Sequence, residues 1–304
     1  MNLNDPIFTD ETKARAYFEG LRWPDGPYCP HCGEAEKVYR LEGKSHRPGL
    51  FTCNGCNGAF TVTTGGVMES SHIPLTKWAL GFRLYAASKK GFSAHQLHRQ
   101  LGITYKSAWF MAHRIREAMA PTKTAAPLGG AGKVVEADES YTGRKKGAVK
   151  KGGGGSHKMA VVALVERGGP MRSFHVERAD KATVIDIITK NVKRESRLHT
   201  DESSLYTSVG TYMAKHETVV HKHEEYARGD VTTNSVEGVF SVLKRGLIGT
   251  YQHVSEQHLH RYLAEFDFRQ NNRIKLGVND DVRTERAIKG AEGKRLTYQQ
   301  SSSA

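Results

Sequence analysis

The chain has only four cysteines, and they stand as two Cys-X-X-Cys pairs, Cys29 with Cys32 in CPHC and Cys53 with Cys56 in CNGC, twenty residues apart. Two residues inside each pair let both sulfurs of a tight turn face one ion. Two such turns on facing hairpins complete a tetrahedral set of four thiolates, the arrangement zinc prefers. Gly33, Gly55 and Gly58 supply the turn flexibility. Disulfides are the competing reading, but the start of the chain, MNLNDPIFTDE, lacks the basic stretch and apolar core of a secretory signal. Neither pair sits beside a βαβ pattern, which argues against a redox motif. Four thiolates leave no open coordination position, so one structural zinc is expected, and in so small a unit its binding supplies folding energy. Zinc ribbons serve in DNA-binding, RNA-binding and protein-docking chains alike, so the motif sets a class and not a function.

At 304 residues the chain is long enough for two or three compact units. Lys and Arg outnumber Asp and Glu by 45 to 32, a formal charge of +13. That balance points to a polyanionic partner, with nucleic acid favoured over membrane. The longest apolar runs, such as Met159 to Val165, fall far short of the ~20 residues that cross a bilayer.

After Pro74 the apolar period becomes helical, with Trp78, Phe82 and Tyr85 on one face and Lys89, Lys90 and Gly91 at the end. Ser93 followed three residues later by Gln96 reads as a capping box that opens a short helix through Leu101, stopped by Gly102. Thr104 caps a third helix, whose buried stripe is Ala108, Met111, Ala112, Ile115 and Met119, with Lys106, His113, Arg114 and Arg116 mostly outside. Helix, three-residue turn, helix is the pattern of a helix-turn-helix, whose second helix enters the major groove by its N-terminus. Tyr105, Lys106 and Ser107 are then the DNA-contacting candidates. A plain helical hairpin with a solvated basic face is the alternative.

Residues 121–133, PTKTAAPLGGAGK, read as a linker. Beyond it come a strand from Val134 to Tyr141, a basic loop RKKGAVKKGGGGSHK, and a hairpin of MAVVALVE and MRSFHVE turning at RGGP. A helix from about Asp180 to Val192, a strand around Leu198 to Thr200, a β-type stretch ETVVHK and a helix from about Thr233 follow. This order describes an α/β layer, a mixed sheet flanked by helices, and RNase-H-like nucleases share it. The glycine run 152–155 is not a phosphate loop, since no Gly-Lys-Ser/Thr follows. It is either a flexible basic loop near DNA or a tether.

Asp138, in VVEADES, and Asp201, in RLHTD, each end an apolar strand. An acid there is costly unless it faces solvent or a cation, and strand ends of an α/β sheet are where ligands bind. Two such aspartates could share hard cations such as Mg²⁺. In the following helix Val236, Val239, Phe240, Leu243 and Leu247 form the buried stripe, and at 100° per residue Glu237 and Lys244 lie together on its edge. Asn234, one turn earlier, is a neighbour or substitute ligand. Strand-end aspartates with an edge-of-stripe glutamate fit a two-metal site for phosphoryl transfer. Strand alternation places Glu139 on the face opposite Asp138 and Glu136 on the same face, as a supporting group. His221 and His223 read as outward-facing polar positions on a strand.

At this point the chain resembles insertion-sequence transposases of the DDE type, in particular the family fifteen-ninety-five with its ISXO-like DDE domain. The resemblance rests on VEADESYTGRKK, HTDESSLY, TNSVEGVFSVLKRGLIGTYQHVS and HLHRYLAEFDFRQNNR, on the four-cysteine ribbon followed by GAFTVTTGGVMESSHIPLTKW, and on thirty-five residues between Asp201 and Glu237 with Lys244 seven further on. It covers roughly residues 12 to 275. It implies an RNase-H-like catalytic domain that cleaves inverted-repeat ends to 3′-hydroxyls and transfers them to target DNA. Asp138 and Asp201 carry over as ligands of Mg²⁺ or Mn²⁺. The family is mixed at the third position, where spacing and helix edge favour Glu237 over Asn234, and Lys244 would approach a DNA phosphate. Double-stranded DNA is the implied partner, a homo-oligomer on DNA the implied assembly, and the bacterial cytoplasm, at the nucleoid, the implied location.

The expected division is a zinc ribbon with an N-terminal helix over 1–72, a helix-turn-helix segment over 73–120, a linker over 121–133, a catalytic domain over 134–275 and a basic flexible tail over 276–304. A nuclease of the same carboxylate chemistry, or a silent DNA-binding regulator descended from a transposase, are the rival functions.

Overall fold

The computed structural model describes residues 2–122, 125–149, 155, 157–221, 225 and 227–297. They fall into two compact units, one drawn from residues 1–88, 92–120 and 279–304, the other from 89–91 and 121–278.

The first unit begins with α1 (Glu11–Arg22), whose N-cap Asp10 accepts from the N–H groups of Thr12 and Lys13. A small antiparallel sheet follows, of β1 (Val38–Arg40), β2 (Phe51–Cys53) and β3 (Gly58–Phe60) in that order, with Val38 opposite Cys53 and Phe51 opposite Phe60. Phe51 and Phe60 stack at 5.5 Å, and Trp23 meets both edge-on. Next come α2 (Leu75–Ala87), α3 (Ala94–Leu101) and α4 (Tyr105–Met119). Trp78, Phe82 and Tyr85 are the buried face of α2. Ser93 accepts from the Gln96 N–H and Thr104 from the Ser107 N–H, while Gly102 closes α3 in the left-handed region at φ 57°.

Two sequence expectations fail together in this unit. His113, Arg114 and Arg116 are buried, not outside, and the tail expected to be flexible contains α8 (Asp280–Lys289). The helix α8 packs on α1, α2 and α4, so α4 is covered on a side that its own periodicity leaves to solvent. The arginines tolerate burial because each finds a partner: Arg114 donates to the Glu69 carbonyl at 2.9 Å and lies over the Phe110 ring, and Arg116 lies over the Tyr85 ring. Asn279 caps α8 by accepting from Asp281 and Val282. Immediately after α8, a Cβ on Gly290 would stand 2.3 Å from the Ala118 carbonyl oxygen.

The second unit is a five-stranded mixed sheet in the order β6-β5-β4-β7-β8. The strands β4 (Val134–Thr142), β5 (Met159–Glu166) and β6 (Met171–Val176) are antiparallel neighbours, while β7 (Arg197–Thr200) and β8 (Lys215–Thr218) run parallel to β4. Helix α5 (Lys181–Asn191) covers one face through Val184, Ile187 and Ile188, against Val135, Ala137, Val162, Leu164 and Leu198. Helices α6 (Asn234–Gly246) and α7 (Leu259–Asn271) cover the other, where the α6 stripe Val236, Val239, Phe240, Leu243 and Leu247 meets Met159, Val161, Ala163 and Val165. Covered on both faces, β5 is buried along its whole length, which is why it reads as an unbroken apolar run.

Part of the expected linker belongs to this unit. Leu128 is buried in the α5 core and bonds through its backbone to Asn191 and Lys193, and a Cβ on Gly129 would stand 2.1 Å from Ser196 Oγ. The last strand starts two residues before the ETVVHK stretch and shares only Glu217 and Thr218 with it: β8 starts at Lys215, opposite Arg197, and ends at Thr218. Lys215 and Glu217 pair with each other and Arg197 pairs with Glu217, so this charged edge strand shows no apolar alternation. The expected basic loop over 144–158 lies partly outside the described residues.

Asp267 of α7 ties that helix to β6, accepting from Ser173 N and Oγ at 2.7 Å each. Burial pushes its carboxyl up to about 7, against those two donors, which pull it down. A raised carboxyl pKa means that the unfolded chain releases this proton first, so the contribution to stability is fullest below about pH 4 and is lost as pH rises toward 7. Asp267→Asn is expected to flatten the fall in thermal stability of this unit between pH 4 and 8, by up to about 4 kcal/mol of that fall. Parallel pH profiles for the two proteins would overturn the assignment.

Candidate functional site

The four cysteines converge as their spacing requires. Cys29 and Cys32 precede β1, Cys53 ends β2 and Cys56 lies in the β2–β3 turn, with Sγ atoms 3.6 Å apart for Cys29 and Cys56 and for Cys32 and Cys53. All four sulfurs lie within 4.8 Å of one another. A disulfide needs about 2.05 Å, whereas thiolates at about 2.3 Å from one tetrahedral ion stand about 3.8 Å apart. The donor set therefore fits a zinc ion. Among the described residues it is the one group of three or more His, Cys, Asp or Glu side chains so tightly gathered.

The acidic residues gather by strand register. β4 and β7 are parallel with Glu136 opposite His199, so two residues further on Asp138 and Asp201 stand side by side at the end of β7, on one face of the sheet. That face is the one covered by α6, whose first turn carries Glu237. Burial, then Glu139, Asp201 and Glu237 push the Asp138 carboxyl up to about 8. The charged groups that act on it most are all carboxylates. Asp201 is raised too, first by burial, with the Ser203 N–H, at 3.0 Å from Oδ1, opposing. So many oxygen donors with no cation among Asp138's main influences form a set suited to a hard divalent ion.

Asp138, Asp201 and Glu237 do not close to within 4.8 Å of one another. Glu237 is turned to other partners: it accepts from Thr233 Oγ1 at 2.7 Å, and His221 Nε2 is 3.4 Å from its Oε1. His221 thus belongs to this site and is not an idle strand position, while His223 lies outside the described residues. Asn234 and Lys244 are exposed on α6, at its first residue and seven residues beyond Glu237. Glu139 accepts from Tyr206 Oη at 2.8 Å, and Ser203 Oγ lies 3.5 Å away. Strand alternation had made it a bystander. The β7–α5 side of the sheet brings Tyr206 to it, a contact across 67 residues that no local pattern encodes.

Glu136 is wholly buried and receives five hydrogen bonds: from Ser235 N at 2.7 Å, Ser235 Oγ at 3.0 Å and Val236 N at 3.1 Å, and from Arg167 Nη2 and Nε at 2.8 and 3.1 Å. In the first unit, Tyr105 and Lys106 are exposed in the first turn of α4, and Tyr105 stacks on His95 with ring centroids 4.2 Å apart. Ser107 is held by Thr104.

With this geometry established, residues 127–271 match an ISXO2-like transposase domain and residues 9–58 match a transposase zinc-ribbon domain, together more than half of the chain. An uncharacterized protein in transposable element ISH50 of Halobacterium salinarum is 29% identical over 279 residues, 86% of this chain and 92% of that one. The unit built on the five-stranded sheet and the four-cysteine ribbon are thus the parts of a transposase. The chain belongs to the IS1595 family of insertion-sequence transposases. Among solved structures, a chain of the simian T-cell lymphotropic virus intasome with the PP2A regulatory subunit B56 gamma gives a TM-score of 0.30 at 15% identity, covering 57% of this chain and 67% of that one. The Mos1 transposase paired-end complex with left transposon end gives 0.23 at 13% identity, covering 66% and 77%. Both likenesses are too loose to establish a shared fold. No helix among the described residues is long and apolar enough to cross a membrane.

Cys53→Ser, or a zinc-selective chelator, is expected to release one equivalent of zinc and to abolish amide protection over β1 to β3, leaving protection of the five-stranded sheet in place. A Cys53→Ser protein that keeps a full equivalent of tightly bound zinc would rule out the four-thiolate site.

Proposed function

We propose that this chain binds the terminal inverted repeats of an insertion sequence, cleaves them by metal-dependent hydrolysis and joins the 3′-hydroxyl ends to target DNA. The observation that carries the reading is the pairing of Asp138, in the middle of β4, with Asp201, just past the end of the adjacent parallel strand β7, beneath the helix that carries Glu237. The sheet order, an antiparallel hairpin run followed by two parallel strands with helices on both faces, supports an RNase-H-like catalytic domain.

Asp138, Asp201 and Glu237 would hold two Mg²⁺ or Mn²⁺ ions, which when bound activate the attacking oxygen and stabilise the leaving one. Asn234 is the alternative third ligand. His221 and Thr233 orient the Glu237 carboxylate, and Tyr206 orients Glu139. Lys244 offers an exposed point charge for a backbone phosphate on the same helix. In the first unit, α3 and α4 act as a helix-turn-helix, with Tyr105, Lys106 and Ser107 at the duplex. The ribbon contributes to end binding, and the net charge of +13 supplies the sequence-independent attraction. Two ends brought together imply a homo-oligomer on DNA.

Asp138→Asn and Asp201→Asn are each expected to cut end cleavage and joining in Mg²⁺ by roughly a hundredfold or more, since metal chemistry supplies several kcal/mol. Binding of end DNA without added Mg²⁺ should stay close to the parent's. Retained cleavage in either variant would sink the mechanism, and nicked ends that are never joined to target would make the chain a nuclease.

For the third ligand, Glu237→Gln should be inactive while Asn234→Ala keeps measurable cleavage. The reverse result moves the role to Asn234.

A further inference from the structure

Glu136 does more than fill a buried position. It lies two residues before Asp138 on the same face of β4, and its carboxylate is the N-terminal cap of α6, a hundred residues away in sequence. Local capping of that helix is incomplete: Thr232 Oγ1 accepts from the Asn234 N–H at 2.9 Å, but Thr233, at the capping position, accepts from no backbone N–H of the first turn and donates instead to the Glu237 carboxylate. The free N–H groups of Ser235 and Val236 therefore point at Glu136, and a negative charge at a helix N-terminus is favourable. Arg167 completes the clamp. Besides Glu136 it donates to the carbonyls of Asp230 at 2.7 Å and Thr232 at 3.3 Å, in the segment that leads into α6.

The helix start is thus held to the strand that carries Asp138 from two sides, and Glu237 is the residue that follows Val236. We propose that Glu136 is a positioning residue: it sets the placement of Glu237 relative to Asp138, and so the affinity of the carboxylate site for divalent cations. This rests on the reading of Asp138, Asp201 and Glu237 as a cation site. A generic buried ion pair would explain the Arg167 contact but not three bonds to the first turn of the one helix that carries the third acid.

The test uses the full, zinc-loaded chain and Mn²⁺ alone as the probe, with binding read by the electron paramagnetic resonance of free Mn²⁺. Amide exchange at Ser235 and Val236 is read in parallel. Glu136→Gln removes the charge and one acceptor, and should weaken Mn²⁺ binding roughly tenfold or more, the scale typical of groups that orient metal ligands. It should also speed exchange at the two amides. Cleavage should recover to within a few-fold of the parent at saturating Mn²⁺, a split between cation requirement and maximal rate that general destabilisation does not produce.

If Glu136→Gln does not fold, Ser235→Ala, which loses one of the three bonds to α6, should weaken Mn²⁺ binding roughly threefold. Parent-like Mn²⁺ binding in a folded Glu136→Gln, or in Ser235→Ala if that variant must stand in, overturns the proposal. Asp138→Asn separates the two levels. If Mn²⁺ binding survives that change, the cation-site reading itself fails; if it is lost there but untouched in Glu136→Gln, only the positioning role fails.

Discussion

A carboxylate with no access to water must recover its lost hydration from fixed donors, and the penalty for failing to do so is several kcal/mol. Glu136 recovers it from two sources that differ in kind: the guanidinium of Arg167 and the open backbone amides at the start of α6. Because those amides can be satisfied in only one axial position and one rotation of the helix, the burial of a single acid fixes how α6 lies on the sheet. The apolar stripe from Val236 to Leu247 supplies the area of contact. It does not supply the register, since an apolar face can slide by a turn at small cost and a capped terminus cannot.

The first unit uses the same device. Helix α2 starts after Pro74 with no side-chain cap of its own, and Glu11, from α1, accepts from Leu75 N and Thr76 N at 3.0 and 3.2 Å. Of the helices whose capping residue makes no side-chain bond, α2 and α6 are each anchored by a glutamate from elsewhere in their unit. In each case the sequence pays with a poorly capped terminus that would fray in isolation, and gains a tertiary contact with defined geometry. The zinc ribbon solves a related problem with sulfur. Its three short strands bury little beyond Trp23, Phe51 and Phe60, so convergence of four thiolates has to do what a larger core does elsewhere.

What could be read along the chain was what is encoded locally. The Cys-X-X-Cys pairs, the caps at Ser93 and Thr104, the turn at Gly102 and the stripe on α6 each depend on residues within a turn or two of each other, and each has its counterpart in the structure. The errors share the opposite property. His113, Arg114 and Arg116 are buried in a unit that α8 completes from beyond residue 279, Leu128 is drawn into the core of α5, and β8 is placed by its register with Arg197. The acids show the same limit: the sequence reading ends a strand at Asp138, whereas β4 runs on to Thr142, and the partners of Glu136 and Glu139 are reached only through the fold. His221 was set aside because alternation on a strand describes faces and not neighbours.

The charge distribution then constrains how such a site can work. The chain is basic overall, by thirteen charges, yet the charged groups that act most on Asp138, after its burial, are three other carboxylates. A phosphodiester is attracted by the first and repelled by the second. On the proposed reading the two are reconciled by order of occupancy: the broad positive field brings the polyanion to the protein, and the acidic pocket admits a phosphate only when its own negative charge has been offset by divalent cations. A site whose empty form repels its substrate is protected from unproductive contact, and its occupancy by cation and by DNA becomes mutually reinforcing, because each lowers the electrostatic cost of the other. That coupling is strongest if the carboxylates are held close enough to repel one another before any cation arrives, which makes the rigid placement of α6 over β4 part of the chemistry and not only of the fold.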